Sequence, residues 1–162
     1  MAPLGALWAQ SADTTAKQPD GFAPLAYFDA NCARCHGPNG SFYGADFGKN
    51  LKDDAALRQI VREMCEGPGN APLDAAKLEI LTDFHRALRD DVPFVTVVAR
   101  SAAGLSGEAS PDAKVTLENG EKSVAATQVG NVWSVNWPVD FEKKGAKVVA
   151  RRGEKVREIE AI

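Results

Sequence analysis

The chain has 162 residues and a mass of 17.3 kDa, enough for one large domain or two small ones. The chain contains 19 Lys and Arg residues and 22 Asp and Glu residues, which give a formal net charge of -3. It therefore lacks the excess of basic residues that is typical of proteins that bind nucleic acid or an anionic membrane. No apolar run approaches the roughly 18 residues that cross a bilayer, and we expect no transmembrane segment.

Residues 1–19 contain a short apolar piece, Leu4 to Ala9, followed by small and polar residues. Small residues after an apolar stretch are typical of the end of a secretion signal, although the charged start and the full apolar stretch are missing here. We therefore interpret residues 1–19 as the remnant of a leader. An ordinary disordered N-terminus is the alternative.

Three helices are predicted between Asp20 and Asp91, where apolar residues recur at helical spacing. Pro24 suits the first turn of the first helix, Asp53 the start of the second and Asp74 the N-cap of the third. The apolar stripes comprise Leu25, Phe28 and Cys32 in the first helix, Leu57, Ile60, Val61 and Met64 in the second, and Leu78, Leu81, His85 and Leu88 in the third. The glycine-rich loop between the first two helices is typical of a segment that wraps around another group and does not form a packed unit of its own.

From Phe94 onward the apolar residues alternate, which is typical of short β-strands. Turn sequences such as Asn119-Gly120 and Gly130-Asn131 separate the strands. Six strands are predicted, in the segments FVTVVARS, AKVTLEN, KSVAATQV, VWSVNWPV, AKVVARR and VREIEAI. The change of period predicts two domains, a helical one over residues 20–92 and a small antiparallel β-sandwich over residues 93–162.

The segment NCARCHG, residues 31–37, places Cys32, Cys35 and His36 within about one turn. A structural zinc site needs four ligands, and the remaining candidates, Cys65 and His85, are distant along the chain. A redox dithiol would follow a strand in a βαβ unit, whereas this motif ends a predicted helix. Two thiols one helical turn apart can form thioether bonds to two haem vinyl groups while the adjacent imidazole binds the iron. The motif therefore favours one covalent haem c, with zinc and a redox dithiol as the alternatives.

Residues 20–90 resemble class I c-type cytochromes through this motif and its surroundings. Phe28 resembles the family's aromatic residue on the N-terminal helix, and Phe84 resembles the aromatic residue on the last helix that crosses it. In the segment GKNL, Leu51 is expected against the haem ring. The resemblance implies a cytochrome domain of three or four helices around one haem, and it implies a periplasmic location because c-type haem is attached outside the cytoplasm in bacteria.

The strand-rich half resembles small immunoglobulin-like domains in the segments AKVTLENG, GNVWSVNWP and AKVVARRG. This match lies at the level of pattern and carries no function with it. The expected fold class is accordingly α+β with two domains, an all-α cytochrome c-like domain followed by a small antiparallel β-sandwich of immunoglobulin-like type.

The loop before the last helix departs from the family, which supplies its second iron ligand there as a methionine followed by proline. In CEGPGNAPLD, Pro68 and Pro72 follow other residues. We assign the second ligand to Met64, on the stripe of the second helix, with His85, Cys65 or an open iron as the alternatives. The predicted haem-binding residues are Cys32, Cys35, His36 and Met64, of which His36 and Met64 bind the iron, and no catalytic residue is predicted.

These features predict a periplasmic monohaem cytochrome that transfers single electrons, either as a carrier or as the cytochrome subunit of a dehydrogenase. Its expected partner is a redox protein, such as a periplasmic dehydrogenase, rather than nucleic acid. A stand-alone enzyme is less favoured. The alternatives are a haem protein that binds gases or small ligands, which the missing Met-Pro pair permits, and a cytochrome of sulfur metabolism that uses Cys65 at the iron.

Overall fold

The structure, a computed structural model, describes residues 21–44, 46–48, 50–51 and 53–162. The predicted leader remnant, residues 1–19, lies outside this range. Within it the helices come first along the chain and the strands follow.

Local sequence accounts for where the helices begin. Pro24 is the first residue of α1, the Asp53 carboxylate accepts a hydrogen bond from the Ala55 N–H at the start of α3, and Asp74 caps α4 in the same way through Lys77 N–H. None of the helices in the described part of the chain is long and apolar enough to cross a membrane. The helices are α1 Pro24–Asn31, α2 Ala33–His36, α3 Asp54–Glu66 and α4 Ala75–Arg89, with a 3-10 turn at Pro38–Gly40.

Two four-stranded antiparallel sheets form the second half of the described chain. The strands are β1 Val95–Arg100, β2 Gly104–Ala109, β3 Lys114–Asn119, β4 Lys122–Ala125, β5 Thr127–Val129, β6 Val132–Asn136, β7 Lys147–Arg152 and β8 Lys155–Glu160. The first sheet has the order β1-β2-β6-β5 and the second the order β4-β3-β7-β8. The segment predicted as one strand, KSVAATQV, is divided between β4 and β5, and β5 crosses to the first sheet.

The inner faces of the two sheets share one apolar core. Trp133 on β6 is fully buried in it, together with Val97 of the first sheet and Leu117 and Val148 of the second. Gly107 on β2 lies under the indole, and a Cβ there would stand 2.6 Å from the Trp133 ring and 1.9 Å from the Thr96 carbonyl oxygen. Only glycine allows β1, β2 and β6 to approach this closely.

A second apolar core lies among the helices. Phe28 on α1 and Phe84 on α4 meet edge to face with ring centroids 5.2 Å apart, so the expected crossing of these two aromatic residues is confirmed. The next ring in the stack belongs to Phe94, just before β1, with its centroid 5.5 Å from that of Phe84. The helical core is therefore completed by a residue of the strand-rich half.

Polar contacts also join the two halves. The carboxylate of Glu108 on β2 accepts hydrogen bonds from the Leu25 N–H at 2.6 Å and the Ala26 N–H at 3.0 Å, at the first turn of α1. On α4, Asp83 accepts from the Arg157 guanidinium on β8 at 2.7 Å. The helices therefore pack directly against the sheets.

The expected fold class, with an all-α cytochrome c-like domain ahead of a sandwich, is wrong. Helices hold 31% of the described residues and strands hold 30%, and the strand-rich part dominates the structure. The physical reason lies in the helical segment itself. Helices α1 and α2 have only eight and four residues, and a glycine-rich loop separates α2 from α3. Phe94 and Glu108 from the strand-rich half are needed to close the helical core and to cap α1. The domain boundary at residues 92 and 93 stays a prediction.

Candidate functional site

The Cys-His motif forms the corner between α1 and α2. The Cys32 N–H donates to the Phe28 carbonyl at 2.8 Å as the last bond of α1, and the His36 N–H donates to the Cys32 carbonyl at 3.0 Å. The thiols of Cys32 and Cys35 are both free, the first half-buried and the second exposed. Two unbonded thiols and one imidazole therefore lie within a single turn.

Gly37 ends α2 with a backbone φ of 74°, a conformation that suits glycine. The chain then folds back, and the Phe42 N–H donates to the His36 carbonyl at 2.9 Å. A Cβ at Gly37 would lie 2.4 Å from the Ser41 Oγ and 2.8 Å from the Phe42 ring. Any other residue at this position would therefore adopt a strained backbone and push the side chains of Ser41 and Phe42 aside.

Six rings pack beside the motif, and we call them the aromatic cluster: Phe28, His36, Tyr43, Phe47, Phe84 and His85. Tyr43 is central, with its ring centroid 4.7 Å from that of His36, 4.3 Å from that of Phe47 and 5.8 Å from that of His85. Phe28 also contacts both histidines, at 6.5 Å and 5.6 Å. The two histidines of the chain thus share two aromatic neighbours.

His85 is the best-defined polar group of the cluster. Its side chain is 6% exposed, and burial lowers its pKa to about 4, so the imidazole is neutral at pH 7. Nδ1 lies 2.8 Å from the Leu81 carbonyl oxygen and Nε2 lies 2.9 Å from the Tyr43 hydroxyl. Because a carbonyl only accepts, the proton is assigned to Nδ1, and Nε2 accepts from Tyr43.

Cys65 lies on α3 and is 3% exposed. Burial raises the pKa of its thiol, and burial together with the neighbouring Cys65 raises the pKa of the Cys32 thiol to about 11. Both thiols are neutral at pH 7. Tyr27, next to Cys65, donates its hydroxyl to the Ala71 carbonyl in the loop after α3.

Met64 faces away from this core. Its side chain is 42% exposed, whereas the next residue, Cys65, is buried with Leu57 and Val61. Ile60 is 37% exposed on the same side of α3, because residues spaced by four place Leu57, Val61 and Cys65 on one face and Met64 about 100° away from it. The assignment of Met64 as the second iron ligand stays a prediction.

Comparisons with protein-family models, with curated proteins and with solved structures gave no match. The resemblance to class I cytochromes and to immunoglobulin-like domains therefore rests on the residues themselves and stays a prediction.

A surface cavity of about 570 Å³ adjoins the aromatic cluster. Tyr43 and Phe47 form one side of it, and Leu88 and Arg89 on α4 line it as well. Its volume falls in the range of sites that hold organic ligands of moderate size. The loop around it is tied to α4, because the Arg89 guanidinium donates to the Leu51 carbonyl at 3.1 Å.

Haem fits the donor set of this site. The free thiols of Cys32 and Cys35 and the imidazole of His36 are the groups that c-type attachment needs, and the aromatic cluster supplies an apolar wall beside them. Zinc fits less well. In the ranges described above, no group of three or more His, Cys, Asp or Glu side chains is placed to hold a metal ion.

Sequence reasoning missed two residues of this arrangement. Tyr43 lies in the glycine-rich loop, whose composition indicated that it wraps something but not which side chain turns inward. Glu108 caps α1 from 83 residues away, and no local pattern signals such a contact. Leu51 is partly buried and packs against the helical core, as expected for a side chain that faces inward. Its contact with a haem ring stays a prediction.

Proposed function

We propose that this chain is a monohaem c-type cytochrome that transfers single electrons outside the cytoplasm, as a carrier or as the cytochrome subunit of a dehydrogenase. The observation that supports the proposal best is the position of Cys32, Cys35 and His36 relative to one another. Their two unbonded thiols and one imidazole lie in one turn, against an aromatic cluster whose Tyr43 and Phe47 also line a cavity of about 570 Å³.

Each residue of the motif has a separate role in this proposal. Cys32 and Cys35 would hold the porphyrin through two thioether bonds, and His36 would bind the iron. The bound haem supplies the one-electron couple. Phe28 packs against the imidazole and would limit water there, which keeps the reorganisation that accompanies electron transfer small.

The exposed end of the motif is where a redox partner would make contact. Cys35 is exposed, and Phe42, whose N–H is bonded to the His36 carbonyl, is 71% exposed. A large apolar side chain beside an exposed attachment site offers a small apolar contact for a partner protein. We therefore place electron entry and exit at this edge, with a periplasmic redox protein as the partner.

Covalent attachment is the direct test. The full chain, produced in a host that matures c-type cytochromes, should gain the mass of one haem, and the haem should stay with the denatured protein in acid acetone. Cys32→Ala and Cys35→Ala should each leave at most one thioether. Cys65→Ala is the matched control, because it removes the third cysteine and should leave attachment unchanged.

Two results would refute the proposal. One is haem that the acid acetone extracts completely from the unaltered chain. The other is a chain that takes up stoichiometric zinc through Cys32 and Cys35 and no haem.

Binding of gases or other small ligands is a second candidate function. It is favoured by the exposure of Met64, which leaves α3 without an inward-facing thioether. Rapid binding of carbon monoxide to the ferrous protein, together with a high-spin ferric spectrum, would support it over electron transfer.

A further inference from the structure

A haem held at Cys32, Cys35 and His36 would take a second iron ligand, and the loop before α4 lacks the Met-Pro pair that the resemblance to class I cytochromes implies there. We propose that His85 is this ligand, so that the iron is held between the imidazoles of His36 and His85. The inference rests on the proposed function, because it presupposes a haem attached at Cys32 and Cys35. It assigns a role to a histidine that the motif itself leaves unused.

The hydrogen bonding of His85 matches the pattern found in many histidines that bind metals. The proton on Nδ1 is held by the Leu81 carbonyl at 2.8 Å, which fixes both the tautomer and the orientation of the ring. Histidines that bind metals commonly donate their other ring N–H to a backbone carbonyl in this way. The lone pair of Nε2 is consequently directed away from α4 and into the aromatic cluster.

The neighbours of Nε2 connect His85 to His36. Its partner is the hydroxyl of Tyr43, at 2.9 Å, and the Tyr43 ring lies 4.7 Å from that of His36. Phe28 contacts both imidazoles from the other helix. Tyr43 belongs to the loop between α2 and α3 and borders the cavity, so this side chain can give way to the haem while α1 and α4 keep their crossing.

The competing ligands are placed less well. Met64 would have to turn by about 100° around α3 to reach the position that Cys65 now holds. A thiolate at Cys65 would be a charge in an apolar core, the same core in which Leu57 and Val61 are buried. His85 needs no change of protonation and no movement of its helix.

The composition of the chain allows a test that needs no substitution. It contains two histidines in total, so an untagged, monomeric sample with two coordinated imidazoles can only use His36 and His85. The haem-loaded chain is labelled with ¹⁵N-histidine and studied by pulsed electron paramagnetic resonance and near-infrared magnetic circular dichroism. We expect two histidine nitrogens on a low-spin ferric iron and a charge-transfer band characteristic of two imidazoles.

Substitutions then separate the candidates. His85→Ala should lose the low-spin spectrum, bind carbon monoxide in the ferrous state, and regain the low-spin spectrum when imidazole is added. Met64→Leu and Cys65→Ala are the matched controls and should keep the spectrum of the unaltered chain. If His85→Ala does not fold, the labelled unaltered chain still decides the question.

Several outcomes would overturn the assignment while leaving covalent haem intact. A single coordinated histidine nitrogen would exclude a second imidazole. A weak ferric band in the red that Met64→Leu abolishes would assign the ligand to Met64, and a low-spin spectrum that Cys65→Ala abolishes would assign it to Cys65. A high-spin iron in the unaltered chain would mean that the position is open. Absence of covalent haem would instead refute the proposed function, and mass spectrometry distinguishes that result from all the others.

Discussion

The side-chain carboxylate of Glu108 accepts a hydrogen bond from the backbone N–H of Leu25 at 2.6 Å, across 83 residues of sequence. Ala23, the residue at the N-cap of α1, makes no side-chain capping bond, so a strand of the first sheet caps the helix that leads into the haem motif. A carboxylate at a helix N-terminus is stabilised both by the free N–H groups and by the helix dipole. The β half is therefore a structural support for the candidate site.

Substitution of Glu108 should weaken the helical half first. Glu108→Ala leaves the buried Leu25 N–H and the partly buried Ala26 N–H without this acceptor and should cost about 2 kcal/mol in the free energy of unfolding. Glu108→Gln keeps one acceptor oxygen and should cost less. Urea unfolding followed by far-ultraviolet circular dichroism measures both. Equal stability of the alanine variant and the unaltered chain would show that this cap contributes nothing.

Glu108 should also make stability depend on pH. Burial raises the pKa of its carboxyl group above the ordinary value, against the lowering effect of the Leu25 and Ala26 N–H groups. Since the folded state then binds its proton more tightly than the unfolded state, the contribution of this group is fully present below the unfolded pKa and is lost as the pH rises through the folded pKa.

The matched measurement compares the unaltered chain with Glu108→Gln from pH 7 down to pH 4. The unaltered chain should gain stability relative to the glutamine variant as the pH falls, because only its side chain titrates. A difference that stays constant over this range, or that shrinks toward low pH, would contradict the raised pKa.

The starts of α3 and α4 could be predicted from the sequence, and strand β2 could not. The starts of α3 and α4 were predictable because Asp53 and Asp74 are local caps. Strand β2 was missed because Gly104 and Gly107 are poor strand formers, and their presence is explained only by the neighbours that a Cβ would meet.

The inward face of α3 shows a different limit. Leu57, Val61, Met64 and Cys65 are all apolar, and the pattern admits a stripe that ends on either of the last two. The choice depends on how α3 rotates against α1 and α4, which is a property of the packed core. Haem chemistry favours the thioether of methionine, whereas the packing buries cysteine.

The turn at Gly37 should be intolerant of any side chain. Gly37→Ala combines a backbone φ of 74° with a Cβ only 2.4 Å from the Ser41 Oγ, and we expect a loss of about 3 kcal/mol and a lower yield of covalent haem. Gly120→Ala is the control, because its φ is 56° but no atom lies within 4 Å of the added Cβ. It should cost about 1 kcal/mol and leave haem attachment unchanged. Similar losses in the two variants would mean that backbone strain alone matters at Gly37.

Tyr43→Phe should distinguish the haem-free chain from the haem-bound chain. Without haem, the variant leaves the buried Nε2 of His85 without its donor and should cost about 1 to 2 kcal/mol. With haem bound, the iron replaces that donor and the cost should disappear. Tyr27→Phe is the control. The Tyr27 hydroxyl donates to the Ala71 carbonyl, and its removal should cost a similar free energy of unfolding in the haem-free and the haem-bound chain. Thermal unfolding of the four samples gives the comparison, and an unchanged penalty for Tyr43→Phe after haem loading would contradict iron binding by His85.

The helical segment should not fold without the sheets. A fragment that ends at Asp91 lacks Phe94, whose ring completes the stack on Phe84, and lacks Glu108, which caps α1. Removal of a buried phenylalanine side chain alone costs about 3 to 5 kcal/mol, a large share of the stability of a small domain. We therefore expect the fragment to show little helical circular dichroism, no cooperative melting and poor haem attachment. Addition of a second fragment that begins at residue 92 should restore helicity, since the lost contacts are then supplied in trans. A fragment ending at Asp91 that melts cooperatively and carries covalent haem would show that the helices form a domain of their own.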